Sequence, residues 1–306
     1  MSKKNLILGL VLIILIGLAY AYQGPLKDWR SNLGKPKNFL AKIDIEKIDR
    51  IEVIKNDEVI TLEKRDMRWK VAGTKDFYVA DDLANRFETA LRDAGIVKLE
   101  LVGSNNEKKG EFQTDLNGIG VKLFSGDKIL TDFVVGKLAT DYISTYISKP
   151  GTDETYSLKV NLSSVFNQPD WRDTTIFNSN REQIKIIRFQ YPNREFTVEK
   201  KDEVWSGTIP YEFPTEQGEI DKIIDLMANL TSVEIPEQDF TGTGLDKHLI
   251  IVEASGEGIN NTIMVGNANE NNLYYAKRGD SDNIYLITKE QRDILDSTIT
   301  SIRKLE

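Results

Sequence analysis

His248 is the only histidine in the 306-residue chain, and cysteine is absent. These two counts exclude thiolate zinc sites, iron–sulfur clusters, cysteine nucleophiles, disulfides and two-histidine metal sites. A Ser–His pair would have to use His248, yet no Gly-x-Ser-x-Gly elbow supplies a serine, and His248 reads as an ordinary residue at the start of an apolar run. Gly279-Asp280-Ser281-Asp282-Asn283 opens like a calcium loop. The glycine and terminal glutamate of an EF-hand loop are missing, so the segment reads as a turn between strands. Carboxylates are plentiful, but a two-carboxylate hydrolase depends on a separation across a cleft, and no motif singles out a pair. Gly242-Thr243-Gly244 lacks the third glycine and the following helix of a dinucleotide loop. No cofactor and no metal is expected.

Two other groups of residues carry weight. Trp69 and Trp205 end equivalent apolar/polar runs. They could be platforms for sugar rings, but a shared position in two places suits core anchors, because two different ligand sites need not share a residue. Asp170-Trp171-Arg172-Asp173 follows Pro169 and sets an arginine between acids. It reads as an ion-pair hinge, with a partner-docking patch as the alternative, since Trp and Arg are favoured interface anchors.

The elements that must position these residues begin with an apolar segment. The 22 residues between Lys4 and Lys27 are uncharged, and Leu6–Tyr22 is almost wholly aliphatic. About twenty such residues span a bilayer as a helix. Residues 5–25 are therefore expected to form a transmembrane signal-anchor helix, with a cytoplasmic tail at 1–4 and a linker at 26–42. Lys3 and Lys4 favour a cytoplasmic N-terminus, and Tyr20 and Tyr22 suit the outer interface. A cleaved signal peptide, with Ala19-Tyr20-Ala21 as the processing site, is the rival reading. Either way the rest of the chain is expected outside the cytoplasm. With a net charge of −8 it lacks the basic footprint of a nucleic-acid binder.

The remainder repeats itself. Thr61-Leu-Glu-Lys-Arg-Asp-Met-Arg-Trp69 recurs as Thr197-Val-Glu-Lys-Lys-Asp-Glu-Val-Trp205, an offset of 136 residues. Ile48–Val53 falls on Ile184–Phe189 at the same offset, and Val97 and Leu99 fall on Val233 and Ile235. Further on the offset drifts, with Val135-Gly136 matching Val265-Gly266 and Tyr156 matching Tyr285. Two copies of this length mean two homologous domains rather than a solenoid, expected at residues 43–178 and 179–306. Each opens with alternating strands joined by turns. An amphipathic helix follows: Leu83, Phe87, Ala90, Leu91 and Ala94 before a stop at Gly95, or Ile220, Ile223, Ile224, Met227 and Leu230. Further strands and a closing helix, around Leu162–Phe166 or Lys289–Ile302, complete each copy. The predicted class is α+β: an N-terminal transmembrane helix, then two mostly antiparallel sheet-plus-helix repeats.

The paired Glu-Lys-x-Asp-x-x-Trp hairpins, the helix after each tryptophan, the Val-Gly strands and the Asp170–Asp173 segment behind an apolar N-terminus resemble the bacterial family catalogued as domain of unknown function 4340. One departure stands out: Gly244-Leu245 fits the family's turn before the middle strand, whereas the first copy has Asp115-Leu116. The resemblance implies a single-pass location in the cytoplasmic (inner) membrane, with the large domain on the extracytoplasmic side. It also implies frequent genetic association with ABC-type exporters of the gliding-motility kind, and no known reaction. The functional expectation is a non-enzymatic, membrane-anchored protein that binds or scaffolds envelope partners, ABC exporter subunits among them. An envelope glycan- or lipid-binding module is the alternative, and a two-carboxylate hydrolase a weaker third.

Overall fold

The structure, a computed structural model, describes residues 37–41, 43–73, 75–247 and 250–305. The apolar N-terminal run and His248 lie outside them. Among the described residues no helix is long and apolar enough to cross a membrane. The chain is α+β, dominated by antiparallel sheet with few helices.

The first half contains strands β1 (Arg50–Lys55), β2 (Glu58–Arg65), β3 (Arg68–Val71), β4 (Leu99–Gly103), β5 (Ile119–Ser125), β6 (Lys128–Leu138), β7 (Thr145–Ser148) and β8 (Thr155–Leu158). They form one eight-stranded sheet in the order β3-β2-β1-β5-β6-β7-β8-β4. Helix α1 (Asp81–Ile96) separates β3 from β4, and short helices α2 (Lys109–Phe112) and α3 (Ser163–Phe166) follow.

The second half contains β9 (Thr175–Asn178), β10 (Ile184–Tyr191), β11 (Arg194–Lys201), β12 (Val204–Ile209), β13 (Phe213–Pro214) and helix α4 (Gln217–Ala228). After these come β14 (Asn229–Thr231), β15 (Ile250–Gly256), β16 (Ile259–Ala268), β17 (Tyr274–Arg278) and β18 (Ile284–Ile287). The sheet order is β13-β12-β11-β10-β15-β16-β17-β18, with β14 and β9 paired as a separate ribbon. Two helices, α5 (Lys289–Leu295) and α6 (Ile299–Ile302), close the chain.

By packing, the chain divides into two compact units: the described part of Met1–Ile60 with Asn85–Gln168, and Thr61–Ala84 with Pro169–Glu306. The division passes through β2 and α1.

Local chemistry accounts for the turns. Asn56-Asp57, Asp66-Met67 and Asp202-Glu203 all adopt positive φ, as the tight two-residue turns matching strand twist require. Asp141 closes the β6–β7 hairpin, its carboxylate accepting from the amides of Ile143 (3.0 Å) and Ser144 (2.8 Å) and from the Ser144 hydroxyl (2.6 Å). Those bonds draw its pKa down to about 2.

Some expected boundaries move. Helix α1 does not stop at Gly95. It runs to Ile96, where the Asn38 side-chain amide donates to the carbonyls of Ala94 (2.6 Å) and Val97 (2.7 Å) and caps the last turn from outside the helix. Leu230 belongs to β14 rather than to the preceding helix. The closing helix of the second copy is two helices, each begun by a threonine capping box, at Thr288 and Thr298.

Buried side chains alternate along the strands, as on Ile51 and Val53 of β1 or Ile250, Val252 and Ala254 of β15. In the second unit Ile187, Phe189, Phe196, Val198 and Trp205 form one core with the inward face of α4, which carries Ile220, Ile223, Ile224 and Met227. Phe77, from the Thr61–Ala84 segment, is part of the same core.

Gly136 and Gly266 occupy matching places on β6 and β16. A Cβ on Gly136 would overlap the Phe112 carbonyl oxygen, and one on Gly266 would overlap that of Thr243. In each unit a loop backbone lies flat on the middle strand where only glycine leaves room. The loops reach that place differently: the left-handed residue is Gln113 (φ 54) in one and Gly242 (φ 78) and Gly244 (φ 71) in the other. We expect Gly136→Ala and Gly266→Ala each to cost about 1–3 kcal/mol through overpacking. Gly218→Ala, in open space on α4, should be neutral or stabilising. Urea midpoints of the three variants check this.

Candidate functional site

Phe77-Tyr78-Val79 runs as an extended segment along β3. The Val71 amide donates to the Phe77 carbonyl (2.9 Å) and the Val79 amide to that of Trp69 (2.7 Å). On its other side the Asp173 amide donates to the Tyr78 carbonyl (2.7 Å). The segment is therefore held between two neighbours like a strand, and Phe77 points into the core against Tyr285, ring centroids 5.7 Å apart.

Beside this segment opens a concavity of about 800 Å³, all of it within the second unit. Its walls come from Arg68–Asp82, from Asp173–Asn178 and from the Arg278–Tyr285 turn. Five aspartates (76, 81, 82, 173 and 280) face two arginines (68 and 278), so the bowl is acidic overall. Its charges are arranged in pairs. Arg68 meets Asp81 at 3.1 Å and lies over the Tyr78 ring at 4.7 Å; Arg278 grips both oxygens of Asp280 at 2.8 and 2.7 Å. Arg278 also donates to the Ile176 carbonyl at 3.0 Å, which orients its fork. Lys70 holds Asp76 at 2.5 Å.

These contacts set the protonation states. The Lys70 ammonium lowers the pKa of Asp76, and the Arg278 hydrogen bond lowers that of Asp280. Burial raises the Tyr285 phenol. Asp76 and Asp280 are thus ionised acceptors and Tyr285 a neutral donor near neutral pH. A carboxyl group serving as general acid would need the opposite shift. What this arrangement can do is bind a polar ligand through fixed acceptors and donors.

The structure gathers some of the residues singled out from sequence and separates others. Trp69 and Trp205 are both buried, at 2% and 4% exposure, and present no open ring face. In the Asp170–Asp173 segment Trp171 is also buried. Arg172 clasps Asp170 through Nε (3.0 Å) and Nη2 (2.6 Å), donates to the Ile235 carbonyl (2.9 Å) and stands over Phe77 at 5.4 Å. Asp173 accepts from the Thr175 amide at 2.9 Å and contributes to the bowl. In the calcium-like loop Asp280 is committed to Arg278 and Asp282 to Lys277 (3.2 Å), while Asn283 donates to the Asp76 carbonyl at 3.2 Å. Among the described residues no group of three His, Cys, Asp or Glu side chains is placed to hold a metal ion.

Phe77 and the polar residues around it were not expected from sequence. A signal was present: Phe77 falls on Phe213 at the offset of 136, and each lies beside the strand that bears the repeated tryptophan.

Residues 87–235 and 205–305 match the family described as Domain of unknown function (DUF4340), and the chain belongs to that family. No curated protein and no solved structure matches the chain.

Two outcomes follow from this geometry. Arg172→Ala should lose about 1–3 kcal/mol, since it frees a backbone carbonyl and strips Asp170 of its partner; Arg172→Lys, without the planar fork, should recover only part of it. Chemical denaturation measures both. The Asp280 carboxyl should titrate below the usual aspartate value of about 3.9, and Arg278→Gln should return it toward that value, as carbonyl-carbon NMR would report. Because the folded-state pKa is depressed, this pair stabilises the fold above the unfolded-state pKa. The contribution is lost as pH falls through the folded value.

Proposed function

We propose that the chain is a non-enzymatic, membrane-anchored protein that binds or scaffolds partner proteins as an accessory component of an ABC-type exporter. In this reading residues 5–25 are a single-pass signal anchor in the bacterial cytoplasmic (inner) membrane, and the sheet-rich remainder lies on the extracytoplasmic side as two homologous copies of one domain. The observation that carries the anchor is the uncharged stretch between Lys4 and Lys27, long and apolar enough to span a bilayer. Supporting the duplication, seven strands of each sheet follow one order, and Asp44 and Asn180 cap equivalent short 3-10 helices 136 residues apart. Supporting a binding role, the bowl of the second unit offers ionised acceptors held in place by arginines and a lysine rather than a carboxyl poised to give up a proton.

A second reading, an envelope glycan- or lipid-binding module, draws on the same bowl, where Tyr78 and paired Asp–Arg side chains line a polar concavity suited to hydroxyl groups. Affinity purification of the full chain from detergent-solubilised membranes should recover ABC transporter subunits. Recovery of the chain alone across several detergents would sink the exporter reading, and a thermal shift with envelope polysaccharide in that case would favour the second.

A further inference from the structure

One end of the first unit exposes apolar side chains at places the second copy fills otherwise. Register brings the start of β5, the β6–β7 turn, the end of β8 and the start of β4 to this end: Ile119 pairs with Val135, Leu138 with Thr145, and Leu158 with both Thr145 and Leu99. Leu116, in the loop leading into β5, is 97% exposed, and Tyr142, in the β6–β7 turn, is 80% exposed. Ile143 and Ile96, the last residue of α1, are exposed beside them. In the second copy Leu245, the counterpart of Leu116, is buried at 1%; Ser232 stands at the offset of 136 from Ile96, and Asn272 takes the place of Tyr142. The two turns are built alike. The Tyr142 amide donates to the Ala139 carbonyl (3.0 Å) and the Asn272 amide to that of Asn269 (3.1 Å), with both residues at φ 58. That left-handed backbone suits asparagine and disfavours a bulky ring. A tyrosine held there with its ring in solvent is a strain that packing within the fold does not offset.

The path of the chain indicates what this end faces. The Asn38 side-chain amide donates to the Ala94 and Val97 carbonyls, so the polypeptide enters the first unit at the C-terminus of α1, just before β4. This is the end that carries Tyr142. From residue 25, where the anchor read from the sequence stops, to Lys37 is twelve residues, a stretch that reaches at most about 40 Å however it runs. The end where this tether attaches is therefore the one held closest to a bilayer that contains the anchor. Tyrosine among aliphatic side chains is the mixture that settles at a lipid–water interface, and the exposed Lys98, Lys137 and Lys159 of this end suit anionic headgroups. Asp115 and Asp141 are bonded within their own loops, to the Asn117 side-chain amide (3.1 Å) and to the Ile143 and Ser144 amides. Asp57 and Glu58 lie in the β1–β2 turn, two strands away from β6.

We propose, on the reading of residues 5–25 as a membrane anchor, that the Leu116 loop and the Tyr142–Ile143 turn rest in the interface of an anionic phospholipid bilayer and hold the first unit against it. The chain has no cysteine, so a single introduced cysteine can carry an NBD fluorophore without competition. The full-length chain is labelled through Leu15→Cys, Leu116→Cys, Ile143→Cys or Ile129→Cys and reconstituted in phosphatidylethanolamine–phosphatidylglycerol vesicles, with and without doxyl-labelled lipid. Ile129 is as exposed as Ile143 but lies at the opposite end of the sheet, beside the β5–β6 turn. Labels at 15, 116 and 143 should be blue-shifted and quenched by doxyl lipid, and the label at 129 neither. Tyr142→Asn, which installs the residue of the second copy, should reduce quenching at 143 while leaving the melting temperature unchanged or raised. Quenching at 15 without quenching at 116 and 143 would overturn the proposal and leave the anchor standing, whereas an unquenched label at 15 would overturn both. Equal quenching at 129 and 143, or a Tyr142→Asn variant quenched like the wild type, would also sink it. A blue shift at 143 without lipid quenching would overturn it in favour of contact with a second copy of the chain.

Discussion

The three residues Phe77, Tyr78 and Val79 are the constraint on which the second unit depends. A backbone that is hydrogen-bonded on both sides has no freedom to shift register without breaking bonds to two neighbours at once. Here β3 grips the segment through Trp69 and Val71, and Asp173 grips it from the other side. From Asp173 the rail continues: the Thr174 carbonyl accepts from Ser232, and Val233 and Glu234 exchange bonds with Leu286 of β18. Arg172 bolts the same junction through Asp170 and the Ile235 carbonyl. Phe77, within the rail, and Trp171, two residues before Asp173, are both buried. The polar bowl beside Tyr78 owes its walls to it as well.

The same plan appears twice with different finishing. Both units place a glycine on the middle strand to admit a loop carbonyl, although the loops reach it with different residues. Close approach of two backbones is a volume constraint, and it fixes the glycine rather than the loop. The edges diverge for the opposite reason. An edge strand is constrained on one side only, so a proline and a glutamine side chain can interrupt one sheet's edge where, among the described residues, the other sheet ends in the strand β4.

Much of this architecture was legible in the residues. Alternation identified the opening strands around Ile51 and Ile187, and the helical spacing of Leu83, Phe87 and Leu91 identified α1, because burial periods of 2 and 3.6 are written directly into residue type. The offset of 136 located the matching hairpins. The helix ends were less legible. Gly95 looked like a stop, yet the cap is Asn38, over fifty residues away in sequence. The bowl was legible only in parts. Asp173 and Asp280 belonged to segments that stood out, but Arg68, Asp76 and Tyr78 lie on a hairpin and loop whose local pattern says nothing about the Arg278–Tyr285 turn opposite them.

The sequence by itself determined the class of fold, the near-equal strand plan of the two halves, and the chemistries closed to a chain without cysteine and with one histidine. Each of these depends on composition, short-range periodicity or a repeated run of residues, which a linear chain carries in full. Tertiary structure decided which compact unit each segment joins. Thr61–Ala84 packs with Pro169–Glu306 because Phe77 finds its apolar surroundings there and Tyr78 its hydrogen bond to Asp173. It also brought the Asp76 carbonyl to Asn283 and the Ile176 carbonyl to Arg278, which sets the walls of the bowl against one another. Such contacts depend on distances between residues remote in sequence, and only the packed backbone sets those distances.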